Sequence, residues 1–236
     1  MAKLALQAVS LERNNRSLLA GIDLAFNESE TTLLLGANGS GKSVLLLSAL
    51  GLFRPDSGTV TFDGDDVYRS DAALRRRTTI VFQKSDIQIL GNSVRDDMEI
   101  SLRSASIPRA RWRDYIGETA ELFGLAPFLE DHPATLSGGM RQRLALASAV
   151  IGKPSLVFLD EPLLELDYSG ITFVLSVLRK LAATGVGLVV ATHNYKEFWD
   201  FTDRVIVIDA GAVVSDTSRD AAIPHISEKN GLRPWR

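Results

Sequence analysis

Apolar positions along this chain fall into short, separated runs whose texture changes twice, from strand-rich to helical and back. Residues 4–11 and 21–26 read as short strands, with the polar turn 12–16 between them. Residues 31–35 (T-T-L-L-L) are nearly continuous in apolar character, the pattern of a parallel strand buried on both faces. A glycine-rich loop follows, then a helix from Lys42 to Leu50 with Gly51 placed to end it. Pro55-Asp56-Ser57-Gly58 makes a turn, residues 59–62 a strand, Asp63-Gly64 a second turn, and residues 79–82 another buried strand.

From residue 84 to 149 the chain becomes polar, arginine-rich and helical in pattern. Pro108 suits the start of a helix on which Trp112, Ile116, Thr119, Leu122 and Phe123 fall near one face, and Gly124 ends it. Buried-strand runs then return at 156–159, 187–191 and 205–208. The polar stretch after Thr217 has no strong pattern and reads as a short loose end. The order predicts one α/β domain over residues 1–236, with a body from 1–83 and 150–217 and a helical subdomain at 84–149.

Composition narrows the picture. At 236 residues, 45% hydrophobic and 23% charged, the chain can bury a substantial core. A net charge of −3 argues against general affinity for nucleic acid, which needs concentrated basic charge. Without cysteine there is no disulfide or thiolate, and three widely separated histidines make no metal centre. The strongest apolar runs, 44–53 and 186–191, fall short of the roughly 18–20 residues that span a bilayer, and the apolar start is too short for a signal peptide. The expectation is a soluble chain without direct membrane insertion, whose membrane role runs through a partner.

Three motifs carry chemistry. Gly36-Ala37-Asn38-Gly39-Ser40-Gly41-Lys42-Ser43 follows a buried strand and opens a helix, the context of a phosphate-binding loop. Its glycines let backbone N–H groups turn inward on phosphate oxygens, and the helix start adds its positive end. Lys42 would bridge the β- and γ-phosphates and the Ser43 hydroxyl would ligate Mg²⁺. Asp160 and Glu161 close an apolar strand; Asp160 can hold the Mg²⁺ shell and Glu161 can polarise an attacking water. An acidic pair after a strand is commonplace by itself and takes its meaning from the phosphate loop. Ser137-Gly138-Gly139 precedes the helical run 140–150, either as an ordinary helix cap or as an anion cradle.

With these motifs in this order, the sequence resembles an ATP-binding-cassette (ABC) ATPase over nearly its whole length. Gln83 in V-F-Q matches the Q-loop, residues 136–143 (L-S-G-G-M-R-Q-R) the signature, Leu166-Asp167 the end of the D-loop and His193 in A-T-H the switch histidine. The resemblance implies a P-loop NTPase RecA-like core with an N-terminal antiparallel β subdomain and a helical signature subdomain. It implies Mg²⁺-dependent ATP hydrolysis in a head-to-tail dimer, with Ser137, Gly138 and Gly139 acting on the γ-phosphate held by the other copy. Glu161 would orient water, His193 would contact the γ-phosphate, and Gln83 would sense metal and water.

Two stretches depart from that pattern. The first turn offers no aromatic to stack on adenine; either Arg13 or Arg16 lies over the base through its planar guanidinium, or both are solvated turn charges. The D-loop carries Leu163-Leu164-Glu165 where small residues are usual. Residues 81–90 (V-F-Q-K-S-D-I-Q-I-L) look like the Q-loop of energy-coupling-factor importers, which implies a transmembrane coupling protein and a substrate-binding membrane subunit, with Asp86–Leu90 as candidate contacts. The implied location is the cytoplasmic face of the membrane, and the implied assembly a homodimer as in biotin-type systems. A soluble assembly or repair ATPase is the alternative. A GTPase switch is opposed by the signature and by the lack of an N-K-x-D motif.

Overall fold

The first two strands, β1 (Lys3–Arg13) and β2 (Arg16–Asn27), are joined as tightly as an antiparallel hairpin allows. Only Asn14 and Asn15 lie between them, at φ 53 and 59°, the two left-handed positions of a turn whose twist matches its strands. The expected turn 12–16 therefore shrinks to two residues, with Glu12 paired to Ser17 inside the ladder. The computed structural model describes residues 3–69, 71–164, 166–228, 231, 232 and 234.

Next come β3 (Thr31–Leu35), α1 (Lys42–Ala49), β4 (Ser57–Phe62), β5 (Asp65–Asp66), α2 (Ala72–Arg77) and β6 (Thr78–Val81). The principal helices of the insert are α3 (Val94–Ser104), α4 (Trp112–Phe123) and α5 (Gly138–Val150). The chain returns through β7 (Leu156–Asp160), α6 (Tyr168–Ala183), β8 (Gly187–Thr192), β9 (Arg204–Asp209), β10 (Ala212–Ser218) and α7 (Arg219–Ala222). One sheet is antiparallel, in the order β2-β1-β4-β5; the other runs β10-β9-β3-β8-β7-β6, parallel except for the edge strand β10.

The parallel strands are buried on both faces, and alternate residues serve two separate cores. Leu33, Leu35, Val157, Leu159, Leu188, Val190, Val205 and Val207 face the core shared with α3–α6. Leu34, Leu156, Phe158, Val189, Ala191, Ile206 and Ile208 face the core closed by the antiparallel sheet and α1. Phe26 meets Phe158 edge-on there, with ring centroids 5.6 Å apart. This two-sided burial is why the strands read as apolar runs without alternation.

Three expectations need correction. On α4 the buried positions are Trp112, Ile116, Ala120 and Phe123, while Leu122 is 46% exposed, because its rotation along the helix carries it off the 112-116-120-123 stripe. α5 begins at Gly138 rather than Met140, since Ser137 caps it. The stretch after Thr217 is not loose: α7 leads into a short 3₁₀ turn, and Ala222, Ile226 and Leu232 are buried in the first core. Their irregular spacing hid them. Replacing Ile226 by Ala should lower unfolding free energy by about 2–5 kcal/mol in urea titration, where a loose end would cost nothing measurable.

Candidate functional site

Because β3, β6, β7 and β8 run parallel, their carboxyl ends gather on one edge, where ligands of open α/β sheets bind. Residues 36–43 leave that edge from β3. A Cβ on Gly36 would overlap the Ile208 carbonyl oxygen and Ser40 Oγ, so the close passage of the loop over β9 demands glycine. Gly41 caps α1 at φ 109°, turning the helix start towards the cleft. The Gly211 amide donates to the Ser40 carbonyl at 2.9 Å, fixing the β9–β10 turn to the loop. Ser40 Oγ is buried without a hydrogen-bond partner among the described residues. A backbone cradle with a spare hydroxyl and the start of a helix fits the oxygens of a polyphosphate.

Lys42 is only 6% exposed, and its Nζ donates to the carbonyls of Gly36 at 2.8 Å and Ala37 at 3.1 Å. Burial pulls its pKa down, opposed by the negative charges of Glu161 and Asp160. Asp160, at the end of β7, is pushed up by burial and by the neighbouring Glu161 charge, against a hydrogen bond from Ser43 and the charge of Lys42. Two buried charges of opposite sign and a hydroxyl thus meet at the loop's exit.

Glu161 follows at φ 47°, a left-handed conformation unusual for this residue type, with its amide donating to the Ala191 carbonyl at 2.8 Å. Both carboxylate oxygens are held by the end of β8. Oε2 accepts from Thr192 Oγ1 at 3.0 Å; Oε1 accepts from the His193 amide at 3.1 Å and lies 2.8 Å from His193 Nδ1.

A cleft of about 520 Å³ gathers Asn38, Gly39, Gly41, Lys42, Ser43, Gln83, Asp160, Glu161 and His193, with Gly36 and Ser40 buried in its loop. Arg16, Ser17, Leu18, Leu164 and the Ala210-Gly211 turn also line it, and sequence reasoning missed all but Arg16 and the D-loop's Leu164. Arg13 is not there: it pairs with Asp56 at 3.1 Å. No motif marks Ser17, Leu18 or Ala210 in sequence; only the folded hairpins bring them in.

Ser137, Gly138 and Gly139 do not reach this cleft. Ser137 Oγ accepts from the Met140 amide at 3.3 Å, and Gly138 lines a second cleft of about 360 Å³. Gln83 and Leu164 line both clefts. Among the described residues a Cβ on Gly138 or Gly139 would meet nothing within 4 Å, so they do not require glycine at either position.

The segment after Gln83 is braced rather than free. Gln88 donates to the Ile80 carbonyl and accepts from the Phe82 amide, both at 3.1 Å, extending the end of β6. Asp86 pairs with Arg141 of α5 at 2.6 Å. The Leu90 and Gly91 amides donate to buried Asp97 of α3, whose other oxygen accepts from Ser148 of α5 at 2.5 Å. Between these anchors Ile87 is 66% and Leu90 72% exposed. Of the unusual D-loop, Leu163 packs against the first core, Leu164 lines the clefts, and Glu165 lies outside the described residues. Among the described residues no helix is long and apolar enough to cross a membrane.

Comparison with known proteins agrees with this geometry. A family model described as "ABC transporter" matches residues 19–164. The cobalt import ATP-binding protein CbiO of Syntrophus aciditrophicus is 33% identical over 87% of this chain and 74% of its own length. The energy-coupling factor transporter ATP-binding protein EcfA of Methanothermobacter thermautotrophicus is 30% identical over 84% of this chain and 65% of its own length. A solved structure of cbiO1 from Clostridium perfringens, described as part of the ABC transporter complex cbiONQ, superposes with TM-score 0.81 at 26% identity, covering 94% of this chain and 90% of that one.

The pKa of Asp160 generates a prediction. Its folded value lies above the unfolded one, so the native state binds the proton more tightly. Stability contributed by this group is therefore lost as pH rises through that interval, and the carboxylate is a net cost at neutral pH. Asp160→Asn should raise the melting temperature of the nucleotide-free protein at pH 7 and should lose most of the added stabilisation given by Mg²⁺ and ATP. Calorimetry with and without ligand checks both signs.

Proposed function

The chain belongs to the ABC transporter family, and from that premise we propose that it is the ATP-hydrolysing subunit of an energy-coupling-factor importer, working as a dimer. The observation that carries this reading is a division of the motifs. Lys42, Ser43, Gln83, Asp160, Glu161 and His193 share one cleft, while Ser137, Gly138 and Gly139 face outward from another part of the surface. A second copy arranged head to tail would bring its signature glycines to the γ-phosphate. That no described residue would meet a side chain's first carbon at Gly138 or Gly139 supports that use.

In this reading ATP phosphates lie along residues 36–43, with Lys42 turning from its carbonyl partners to the β- and γ-phosphates. Ser43 and Asp160, with Gln83 beside them, would hold Mg²⁺, which takes few protein ligands and completes its shell with phosphates and water. The metal supplies charge neutralisation at the phosphates. Glu161 orients the attacking water, and His193 contacts the γ-phosphate and keeps Glu161 in place. Residues 84–149 form the partner-facing subdomain, and 1–83 with 150–217 the nucleotide-holding body.

Ile87 and Leu90, held out by the braces on α5, suit contact with apolar helices of a transmembrane coupling protein, which recruits the chain to the cytoplasmic face of the membrane. The cargo class is a vitamin such as biotin or a metal ion, and the relatives named for cobalt import favour the metal. Specificity would reside in a separate membrane subunit.

Glu161→Gln should lower turnover by about two to four orders of magnitude, the scale of losing a general base, while ATP binding persists and dimers accumulate. Near-normal turnover would refute the assignment. Ser137→Arg and Lys42→Ala should each be inactive alone, whereas their mixture should regain activity from at most one competent site per dimer; a mixture as dead as its components rules out completion of the site in trans. Expressed with its chromosomal neighbours, the protein should fractionate with membranes, and the double change Ile87→Glu, Leu90→Glu should release it without weakening ATP binding.

A further inference from the structure

Thr192 sits at the end of β8, 2% exposed and paired in the sheet with Leu35. A buried strand position between two apolar cores would ordinarily be served by valine, which has the same shape and an equal preference for strands. Here a hydroxyl is kept, and its hydrogen bonds are specific. Thr192 Oγ1 accepts from the Asn194 amide at 3.0 Å, which leaves its own hydrogen to donate to Glu161 Oε2, also at 3.0 Å. The next residue supplies the other half of the grip: the His193 amide donates to Glu161 Oε1 at 3.1 Å. Consecutive residues thus hold the two oxygens of one carboxylate, a two-point attachment that fixes both its position and the rotation of its plane.

We infer that Thr192 is a positioning residue for Glu161, setting the orientation in which that carboxylate meets the attacking water. The inference rests on the proposed role of Glu161. Thr192 does not line the nucleotide cleft, so its effect passes through Glu161 and not through ATP. Without the hydroxyl, Oε2 loses its donor, and Glu161 keeps only the His193 contacts on Oε1. A carboxylate held at one oxygen swings about that contact, and misplacement on the scale of an ångström costs about 100-fold in rate.

The experiment compares Thr192→Val, Thr192→Ser and Glu161→Gln in the full chain. Thr192→Val should lower kcat about 10- to 100-fold with KM within about twofold. Thr192→Ser should restore kcat. Amide exchange at Asn194 should quicken in Thr192→Val and not in Thr192→Ser, and the Kd for ATP without Mg²⁺ should stay within about twofold in each. The inference is overturned if Thr192→Val keeps the wild-type kcat, or if Thr192→Ser is no better than Thr192→Val. It is equally overturned if the loss of rate follows a loss of ATP affinity or of melting temperature in both variants. If Glu161→Gln itself turns over normally, the role of Glu161 fails and takes this inference with it. If Glu161→Gln is dead and Thr192→Val is normal, only the inference fails.

Discussion

Burial of the parallel strands on both faces is the constraint on which everything else depends. A strand whose neighbours on both sides are apolar cores can place chemistry only at its ends, since any polar group in its middle would need a buried partner. Leu33 to Leu35, Val157 to Leu159 and Leu188 to Ala191 obey this, and polar function begins immediately beyond them, at Gly36, Asp160 and Thr192. Parallel pairing then aligns those ends. The cleft is less a feature added to the fold than the place where the sheet stops being able to bury its residues.

The second constraint is electrostatic. Lys42 and Asp160 are both held in forms that burial disfavours, each partly rescued by the other's charge. Such a pair is poor material for stability and good material for binding, because a polyphosphate with its cation can satisfy both groups at once. Glu161 is handled differently: its charge is met by hydrogen-bond donors from β8, and its backbone is held at φ 47° by the ladder to Ala191. One carboxylate is left short of partners and its neighbour is fully engaged.

What sequence revealed and what it hid divide along the same line. The runs 31–35, 156–159, 187–191 and 205–208 were legible because two-sided burial leaves few polar positions and no alternation, and the phosphate loop because glycine and lysine spacing carries its own chemistry. The edge strand β10 was not legible: A-V-V-S-D-T-S mixes polarity because one side meets solvent and its partner, β9, supplies the order. Ala222, Ile226 and Leu232 carry no period, since an irregular segment follows the surface it covers rather than its own geometry. Gln88, one of the candidate partner contacts, also caps β6, a role that only the neighbouring carbonyl of Ile80 and amide of Phe82 define. Thr192 was written in A-T-H beside the histidine, but a threonine at a strand's end signals nothing until its hydroxyl is seen against Glu161.

The empty space around Gly138 and Gly139 bears on how this chain tolerates change. Both sit in the first turn of α5, where no described residue beyond the helix's own backbone and the chain neighbours stands within 4 Å of a side chain's first carbon. An alanine inside a helix is favoured over glycine by about 1 kcal/mol, so a variant library sorted only for folding would enrich the replacements and discard the original residues. The two glycines are kept against the interest of the helix that contains them. The cost of variation at these positions would then escape any assay of the isolated fold and would surface only as a failure of assembled work.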